Sequence, residues 1–149
     1  MKKKGFTILE ILVVLAVLAI LIGIAVPRIK GMQEQANITK AKSELKTIQT
    51  AIESYYINKG SYPDTSDTIA AYILATSGIP QILSEALLDP FNPNGSEYSY
   101  FLHDNDKYYV VYSVGMDGLG GVKPQPDGSI TRNADGQDDI CATNGTGCD

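Results

Sequence analysis

The stretch GFTILEILVVLAVLAILIGIAVPR, residues 5–28, decides the fold of the first part of this chain. From residue 11 to residue 26 every side chain is apolar, and one carboxylate, Glu10, stands directly before this run. A helix of about 20 apolar residues crosses the ~30 Å hydrocarbon core of a bilayer. Residues 6–26 therefore predict a membrane-spanning helix with an acid near its start.

Three interpretations of this segment differ in how they treat Glu10. Three lysines, an apolar run and the small-residue site Gly23-Ile24-Ala25 fit a secretory signal that is cut after Ala25. A plain anchor, with its lysines in the cytoplasm, is the second interpretation. Neither a signal nor a plain anchor requires a carboxylate. Placing one in the membrane costs roughly 2–3 kcal/mol near the bilayer centre and less near its edge. Glu10 therefore favours a third interpretation, a retained helix whose acid has a charged partner.

The residues KGFTILEILVVLAVLAILIGIAVP resemble the N-terminus of type IV pilins and type II secretion pseudopilins. Gly5, Phe6, Thr7 and Glu10 match the family pattern of a basic leader ending in Gly, then Phe-Thr, then Glu as the fifth mature residue. The resemblance implies that a prepilin peptidase cuts between Gly5 and Phe6, that Phe6 is N-methylated, and that the helix is retained. It implies a single-pass inner-membrane protein with its C-terminal domain in the periplasm.

The implied cleavage supplies a partner for Glu10. It creates an α-amino group at Phe6, which in a helix lies about one turn (~6 Å) from Glu10. The amine of an incoming subunit and the Glu10 of its neighbour would neutralise each other in a low dielectric, which predicts an assembly role for Glu10.

Pro27 interrupts the hydrogen bonding of the same segment, because it cannot donate to the carbonyl of Gly23. Resemblance to pilins implies a helix that loosens here when it packs in a filament. The simpler interpretation is that Pro27 marks the exit from the membrane.

Beyond Arg28 the pattern becomes amphipathic. Apolar side chains recur at alternating spacings of three and four residues, at Ile38, Ala41, Leu45, Ile48, Ile52 and Tyr55. The first strong helix breaker after them is Gly60, so residues 6–58 predict one helix of roughly 80 Å. The stripe spans few heptads, which favours packing on the chain's own sheet over the alternative, a coiled-coil dimer.

The rest of the chain predicts short elements. Residues 69–76 and 81–88 are helical candidates, and residues 98–102 and 108–114 are strand candidates joined by a polar turn. Residues 115–149 are rich in Gly and Asp, and we expect no strand there.

These elements together predict an α+β fold, in which a long N-terminal helix packs on a small antiparallel sheet followed by an irregular C-terminal loop. The expected parts are a leader (1–5), a transmembrane assembly helix (6–27), an amphipathic helix (28–60) and a globular sheet domain (61–149).

The C-terminal loop carries most of the candidate metal ligands. Its acids are Asp117, Asp127, Asp135, Asp138 and Asp139. Calcium takes six to eight oxygens and often mixes carboxylates with loop carbonyls. The spacing is not that of an EF-hand, and composition alone supports a solvated loop as well as a calcium site.

Three segments, DPFNP (89–93), YSVGMDGLGG (112–121) and DDI (138–140), resemble the major pseudopilin of type II secretion. That family carries a calcium site in its C-terminal loop, here residues 115–140. The resemblance implies Asp117, Asp138 and Asp139 as ligands, joined by the backbone carbonyl of Val114. The stretch 122–137 is longer than the family pattern, which makes Asp127 or Asp135 candidate replacements.

Cys141 and Cys148 lie in the tail, residues 141–149. Beside an export-type N-terminus they predict a disulfide, and a reduced pair is the alternative. Such a tail resembles type IV pilins more than type II pseudopilins.

Charge and motif content exclude two function classes. Loss of the three leader lysines would change the formal net charge from −5 to −8, which argues against nucleic-acid binding. The sequence has no nucleophile with a base, no phosphate loop and a single histidine, His103, in a polar turn. We therefore expect no enzymatic activity.

The predicted function is that of a structural subunit of a type II secretion pseudopilus, which polymerises through its N-terminal helix to drive protein export. The alternatives are the major pilin of a type IV pilus, for adhesion, motility or DNA uptake, and a membrane-anchored calcium-binding module that never polymerises. Expected partners are further copies of the chain, minor pilins or pseudopilins, an inner-membrane assembly platform and the prepilin peptidase. The filament would lie in the periplasm or on the cell surface.

Overall fold

The computed structural model describes residues 5–63, 83 and 85–148. The elements in chain order are α1 (Ile8–Lys59), β1 (Ser99–Leu102), β2 (Tyr109–Ser113), β3 (Val122–Pro124), β4 (Ile130–Arg132) and β5 (Ile140–Thr143). The chain divides into two compact units between Ala36 and Asn37, and α1 contributes residues to both.

The first unit is the apolar part of α1. The helix starts two residues later than predicted, because Thr7 caps it: the Glu10 amide donates to Thr7 Oγ1 at 3.3 Å and to the Thr7 carbonyl at 3.2 Å. Apart from Pro27, residues 5–36 are all exposed. Among the described residues, α1 is the one helix long and apolar enough to cross a membrane.

The second unit confirms that the amphipathic stripe of α1 packs on the chain's own sheet. One face of the helix and one face of the sheet form a single buried core. Its members are Ala41, Leu45, Ile48, Ala51, Ile52, Tyr98, Tyr100, Tyr109 and Val111. Burial of these side chains is what gives the C-terminal half of α1 a fixed partner, since helical propensity alone contributes little.

Tyr98, which directly precedes β1, and Tyr109 of β2 also bond to acids of the helix. Tyr98 donates its hydroxyl to Glu44 at 2.7 Å, and Tyr109 donates to Glu53 at 2.8 Å. Burial, followed by the nearby glutamate, raises the pKa of both tyrosines above their ordinary value. Both phenols therefore stay protonated donors, and each satisfies a polar group at the edge of the core.

The main sheet has three antiparallel strands in the order β1-β2-β5. The predicted hairpin of residues 98–102 and 108–114 is confirmed, with Ser99 opposite Tyr112. β5 pairs with the other edge of β2, and β3 pairs with β4 in a separate two-stranded sheet.

The expectation of no strand after residue 115 was wrong, because β3, β4 and β5 all lie there. These strands have only three or four residues each, too few for an alternating pattern to stand out. β5 forms because the fully buried strand β2 offers it an open edge, which is a tertiary effect.

The helical candidate 69–76 lies outside the described residues. The candidate 81–88 was wrong at residues 85–88, which are not helical. Leu88 instead forms an antiparallel bridge with Glu97. Pro90 disfavours helical geometry at Asp89, the residue before it, so a helix could not continue through this segment.

Asp89, in the segment between α1 and β1, forms hydrogen bonds with the end of β2, and its side chain is 3% exposed. Its Oδ1 accepts from Ser113 Oγ at 2.7 Å and from the Phe91 amide at 3.0 Å, while Oδ2 accepts from the Val114 amide at 2.9 Å. An Asp89→Ala variant leaves these donors without their acceptor in a buried place. We expect it to lower the free energy of unfolding by about 2–3 kcal/mol, measured by urea denaturation.

The matched control is Asp104→Ala, since Asp104 is an exposed acid in the turn between β1 and β2. Its effect should stay within about 0.5 kcal/mol. Equal stability of the Asp89 and Asp104 variants would show that the Asp89 bonds contribute nothing net.

Candidate functional site

The carboxylates of Asp138 and Asp139 meet the loop that follows β2. Asp138 Oδ2 accepts from the Met116 amide at 2.6 Å and from the Asp117 amide at 3.1 Å. Asp139 Oδ2 accepts from the Gly121 amide at 2.8 Å. The structure therefore brings the backbone of Asp117 to Asp138, 21 positions further along the chain, and places Asp139 beside the same loop. The Asp117 carboxylate itself accepts from the Leu119 amide at 2.8 Å.

Gly115 permits the close approach of the two segments. A Cβ at this position would lie 2.7 Å from both the backbone oxygen and Oδ2 of Asp138, and its φ of +67° disfavours other residues. Val114, whose carbonyl is the remaining predicted ligand, directly precedes this glycine at the end of β2. Any larger residue at position 115 would push Asp138 away from the loop.

Asp139 has one oxygen without a partner. The residue is 5% exposed, and its Oδ1 is the buried side-chain atom that lacks a hydrogen bond within the part of the chain that the structure describes. Burial raises the pKa of Asp139 to about 6. The Gly121 amide and the charge of Arg132 oppose this rise, and the charges of Asp138 and Asp117 reinforce it. A buried carboxylate oxygen among other acids is an environment that a cation would stabilise.

The donor chemistry fits calcium better than a soft metal, because it consists of oxygen atoms. Within residues 5–63, 83 and 85–148, no group of three or more His, Cys, Asp or Glu side chains is arranged to hold a metal by itself. A calcium ion at Asp139 would therefore also need backbone carbonyls and water.

The long stretch 122–137 is occupied by a hairpin and a turn. Asp127 lies in the β3–β4 turn, where its Oδ1 accepts from the Ser129 amide at 2.9 Å and from Ser129 Oγ at 2.6 Å. These bonds lower the pKa of Asp127. Asp135 is exposed in the turn that follows β4. Asp127 thus bonds within its own turn. Asp135 directly precedes Gly136, which packs against Gly121, so its role as a replacement ligand stays a prediction.

The predicted disulfide between Cys141 and Cys148 is present. The disulfide joins β5 to the C-terminal tail. Both cysteines pack against a second buried cluster, which consists of Val110, Tyr112, Val114 and Val122. The tail is therefore an ordered part of the fold.

At the other end of the chain, Glu10 is exposed in the first turn of α1, and Gly5 and Phe6 precede the helix. The helix is continuous through residue 27, so loosening at Pro27 on assembly stays a prediction. The sequence reasoning missed Thr7 as the helix cap. The signal was present, because Thr-x-x-Glu before an apolar run is a capping-box pattern.

The comparisons with known proteins agree with this arrangement. Residues 28–132 match the family described as type II secretion system (T2SS), protein G. The chain belongs to the type II secretion system protein G family. Residues 1–26 match the prokaryotic N-terminal methylation motif.

Individual protein G relatives cover most of the chain. Type II secretion system core protein G of Pseudomonas aeruginosa is 32% identical over 125 residues, which are 80% of this chain and 88% of the relative. The proteins of that name from Vibrio cholerae and Klebsiella pneumoniae are 32% and 29% identical and cover 80% and 79% of the chain, with 85% and 88% of their own lengths matched. No solved structure matches the chain.

Membership in the protein G family makes the chain a major pseudopilin, which is a structural subunit of the secretion system and not an enzyme. The methylation motif implies processing by a peptidase and work with a pilus-type assembly machinery. An anchor in the inner membrane is consistent with the apolar helix. The family match ends at Arg132, so β5 and the disulfide lie beyond it.

Proposed function

We propose that this pseudopilin polymerises through α1 and that growth of the polymer drives protein export. One observation carries the proposal: every described side chain of residues 5–36 other than Pro27, including the apolar run, is exposed in the single chain. Burial of apolar surface is worth roughly 25 cal/mol per Å². Outside the lipid, only the helices of other subunits can supply that burial.

Glu10 sets the axial position of each subunit relative to its neighbour in the polymer. Within the described residues Glu10 has no ion pair, and α1 itself offers only its positive helix end to the carboxylate. The α-amine of Phe6, created by removal of the leader, would neutralise the Glu10 of a neighbouring copy. The prepilin peptidase thus controls assembly by making this amine.

The proposed organisation follows from the same argument. The leader is residues 1–5, the assembly helix 6–27, the amphipathic helix 28–60 and the periplasmic domain 61–149. Minor pseudopilins and an inner-membrane platform are the further partners that a growing polymer needs.

Mass spectrometry of the N-terminus tests the proposal directly. We expect the mature chain to begin at Phe6 and to carry one added methyl group. A Gly5→Leu variant should keep the leader, since a Cβ at Gly5 meets no atom within 4 Å and the change acts on the peptidase and not on the fold. A start at Val26 would indicate a secreted domain, and an intact Met1 a plain anchor; either result contradicts the proposal.

The matched control for cleavage is Gly31→Ala. A Cβ at Gly31 likewise meets no atom within 4 Å, and the position lies beyond the apolar run. This variant should be cut and methylated as the parent chain is.

We also propose a calcium ion at the Asp139 region. Asp117, Asp138 and Asp139 would hold it together with the backbone carbonyl of Val114. The unpartnered, buried Oδ1 of Asp139 supports the site. When bound, calcium would supply positive charge that ties the loop after β2 to the segment before β5, so that the periplasmic surface keeps one shape for assembly.

A further inference from the structure

Arg132, the last residue of β4, connects the acid-bearing segment to the disulfide. Its Nη1 donates to the carbonyls of Gly136 at 3.0 Å and Asp139 at 2.7 Å, and its Nη2 donates to Cys141 Sγ at 3.3 Å. A guanidinium holds its donors in a rigid, planar fork, so these acceptors cannot move independently of one another.

The disulfide-closed tail fixes the other end of the same hairpin. The Thr146 amide donates to the Gly128 carbonyl at 2.8 Å, and Thr146 forms a parallel bridge with Ser129. A Cβ on Gly145 would lie 1.8 Å from the Gly128 oxygen, so tail and turn are in close contact. The strand that carries Arg132 is therefore held by the tail at its start and by the guanidinium bonds at its end.

The bonds of Arg132 go to carbonyls and sulfur, and not to carboxylates. Arg132 therefore makes no hydrogen bond to the carboxylate oxygens that a cation would use. Its positive charge nevertheless acts on Asp139 and favours the ionised form of that carboxyl. The two carbonyls lie on either side of Asp138 in the chain. Fixing them fixes the backbone from which both acids reach the loop after β2.

We propose that Arg132 is the positioning residue of the calcium loop: anchored on the C-terminal disulfide, it holds the backbone of residues 136–139 so that Asp138 and Asp139 face the loop before a cation arrives. The inference rests on the proposed calcium site. It adds a role for the disulfide, because reduction removes one anchor of the tail and thereby loosens the hairpin that carries Arg132.

The test compares calcium affinities of the full-length chain in detergent micelles by isothermal titration with CaCl₂. Arg132→Met should weaken binding roughly tenfold, as loss of an outer-shell partner does at other metal sites, although it also removes a positive charge that acts on Asp139. Arg132→Lys should be intermediate, because an ammonium can replace one of the bonds but not the fork. The matched control is Lys123→Met, which removes a cation of the same hairpin, 5.7 Å from the centre of the Phe101 ring. Its calcium affinity should stay within about twofold of the parent chain's.

Amide hydrogen exchange without calcium gives a second readout. In Arg132→Met the amides of Met116 and Gly121, which donate to the two acids, should exchange faster, while the Ile48 amide in the helix core stays protected. If Arg132→Met also loses protection at Ile48, the variant is unfolded. The exchange of Met116 and Gly121 is then compared between the parent chain and Arg132→Lys. Unchanged exchange at Met116 and Gly121 in a folded variant would overturn the positioning role.

Reduction with a phosphine tests the anchor. It should weaken calcium binding to the parent chain and have a smaller effect on Arg132→Met, because the two changes act through one connection. Calcium binding that is equal in the parent chain and in Arg132→Met would overturn this inference alone. A parent chain that takes up no calcium would overturn the proposed site, and this inference with it.

Discussion

Replacing Glu10 by Gln should abolish filament assembly while the chain is still cleaved at Phe6 and retained in the membrane. Loss of one partner of a buried ion pair costs about 3–5 kcal/mol, since the other charge is left uncompensated. Each 1.4 kcal/mol is a tenfold change, so addition of a subunit should weaken by roughly two to three orders of magnitude. Shearing cells and measuring the pelleted filament, together with export of a secreted enzyme, would record the loss.

Gln is the informative substitution because it separates charge from helix capping. The Thr7–Glu10 pattern works with Gln as well as with Glu, so Glu10→Gln keeps the cap but removes the carboxylate. The control is Glu34→Gln, an exposed acid of α1 beyond the apolar run, which should assemble normally. Normal filaments from Glu10→Gln would disprove the charge-pairing mechanism.

Calcium should stabilise the sheet domain, and Asp139 should account for much of the effect. At a free calcium concentration of 100 times the dissociation constant, binding to the folded state contributes about 2.7 kcal/mol. Thermal unfolding of the full-length chain with calcium and with a chelator would show the difference as a higher melting temperature. Equal melting temperatures in the two conditions would count against the proposed site.

Without calcium, the stability contribution of Asp139 depends on pH. The unfolded carboxyl has a pKa of 3.8, and the folded one has a pKa of about 6. Between these values the unfolded chain releases the proton first, so folding becomes less favourable as pH rises from about 4 to about 6 and stays so above it. The full loss is at most roughly 3 kcal/mol. Bound calcium should remove this dependence, since it stabilises the ionised form.

Asp139→Asn tests both statements at once. In calcium-free buffer at pH 7 the variant should be more stable than the parent chain by up to roughly 3 kcal/mol, should lose the decline between pH 4 and 6, and should no longer respond to calcium. Asp104→Asn, an exposed acid of the β1–β2 turn, is the control and should keep the parent's behaviour. If the stability of Asp139→Asn depends on pH as the parent's does, groups other than Asp139 cause the decline in stability between pH 4 and 6.

The sequence by itself determined the helix, its two halves and the family. Residues 5–28 carry the predicted cleavage site, the acid and the apolar run in one continuous segment, and the stripe from Ile38 to Tyr55 repeats with the helical period. Such signals are local, because a helix satisfies its own backbone hydrogen bonds within a few residues. The Thr7 cap is a local signal of the same kind, because Thr7 and Glu10 are three residues apart.

Only the tertiary structure decided what the last 35 residues do. β5 forms on the edge that β2 offers. Asp139 Oδ1 is buried without a hydrogen bond among the described residues, and Arg132 contacts Cys141 across a folded hairpin. Each of these contacts joins residues whose neighbours in the chain have no regular period. Strand pairing and buried polar contacts depend on groups far apart in sequence, so no pattern within a short window could predict them.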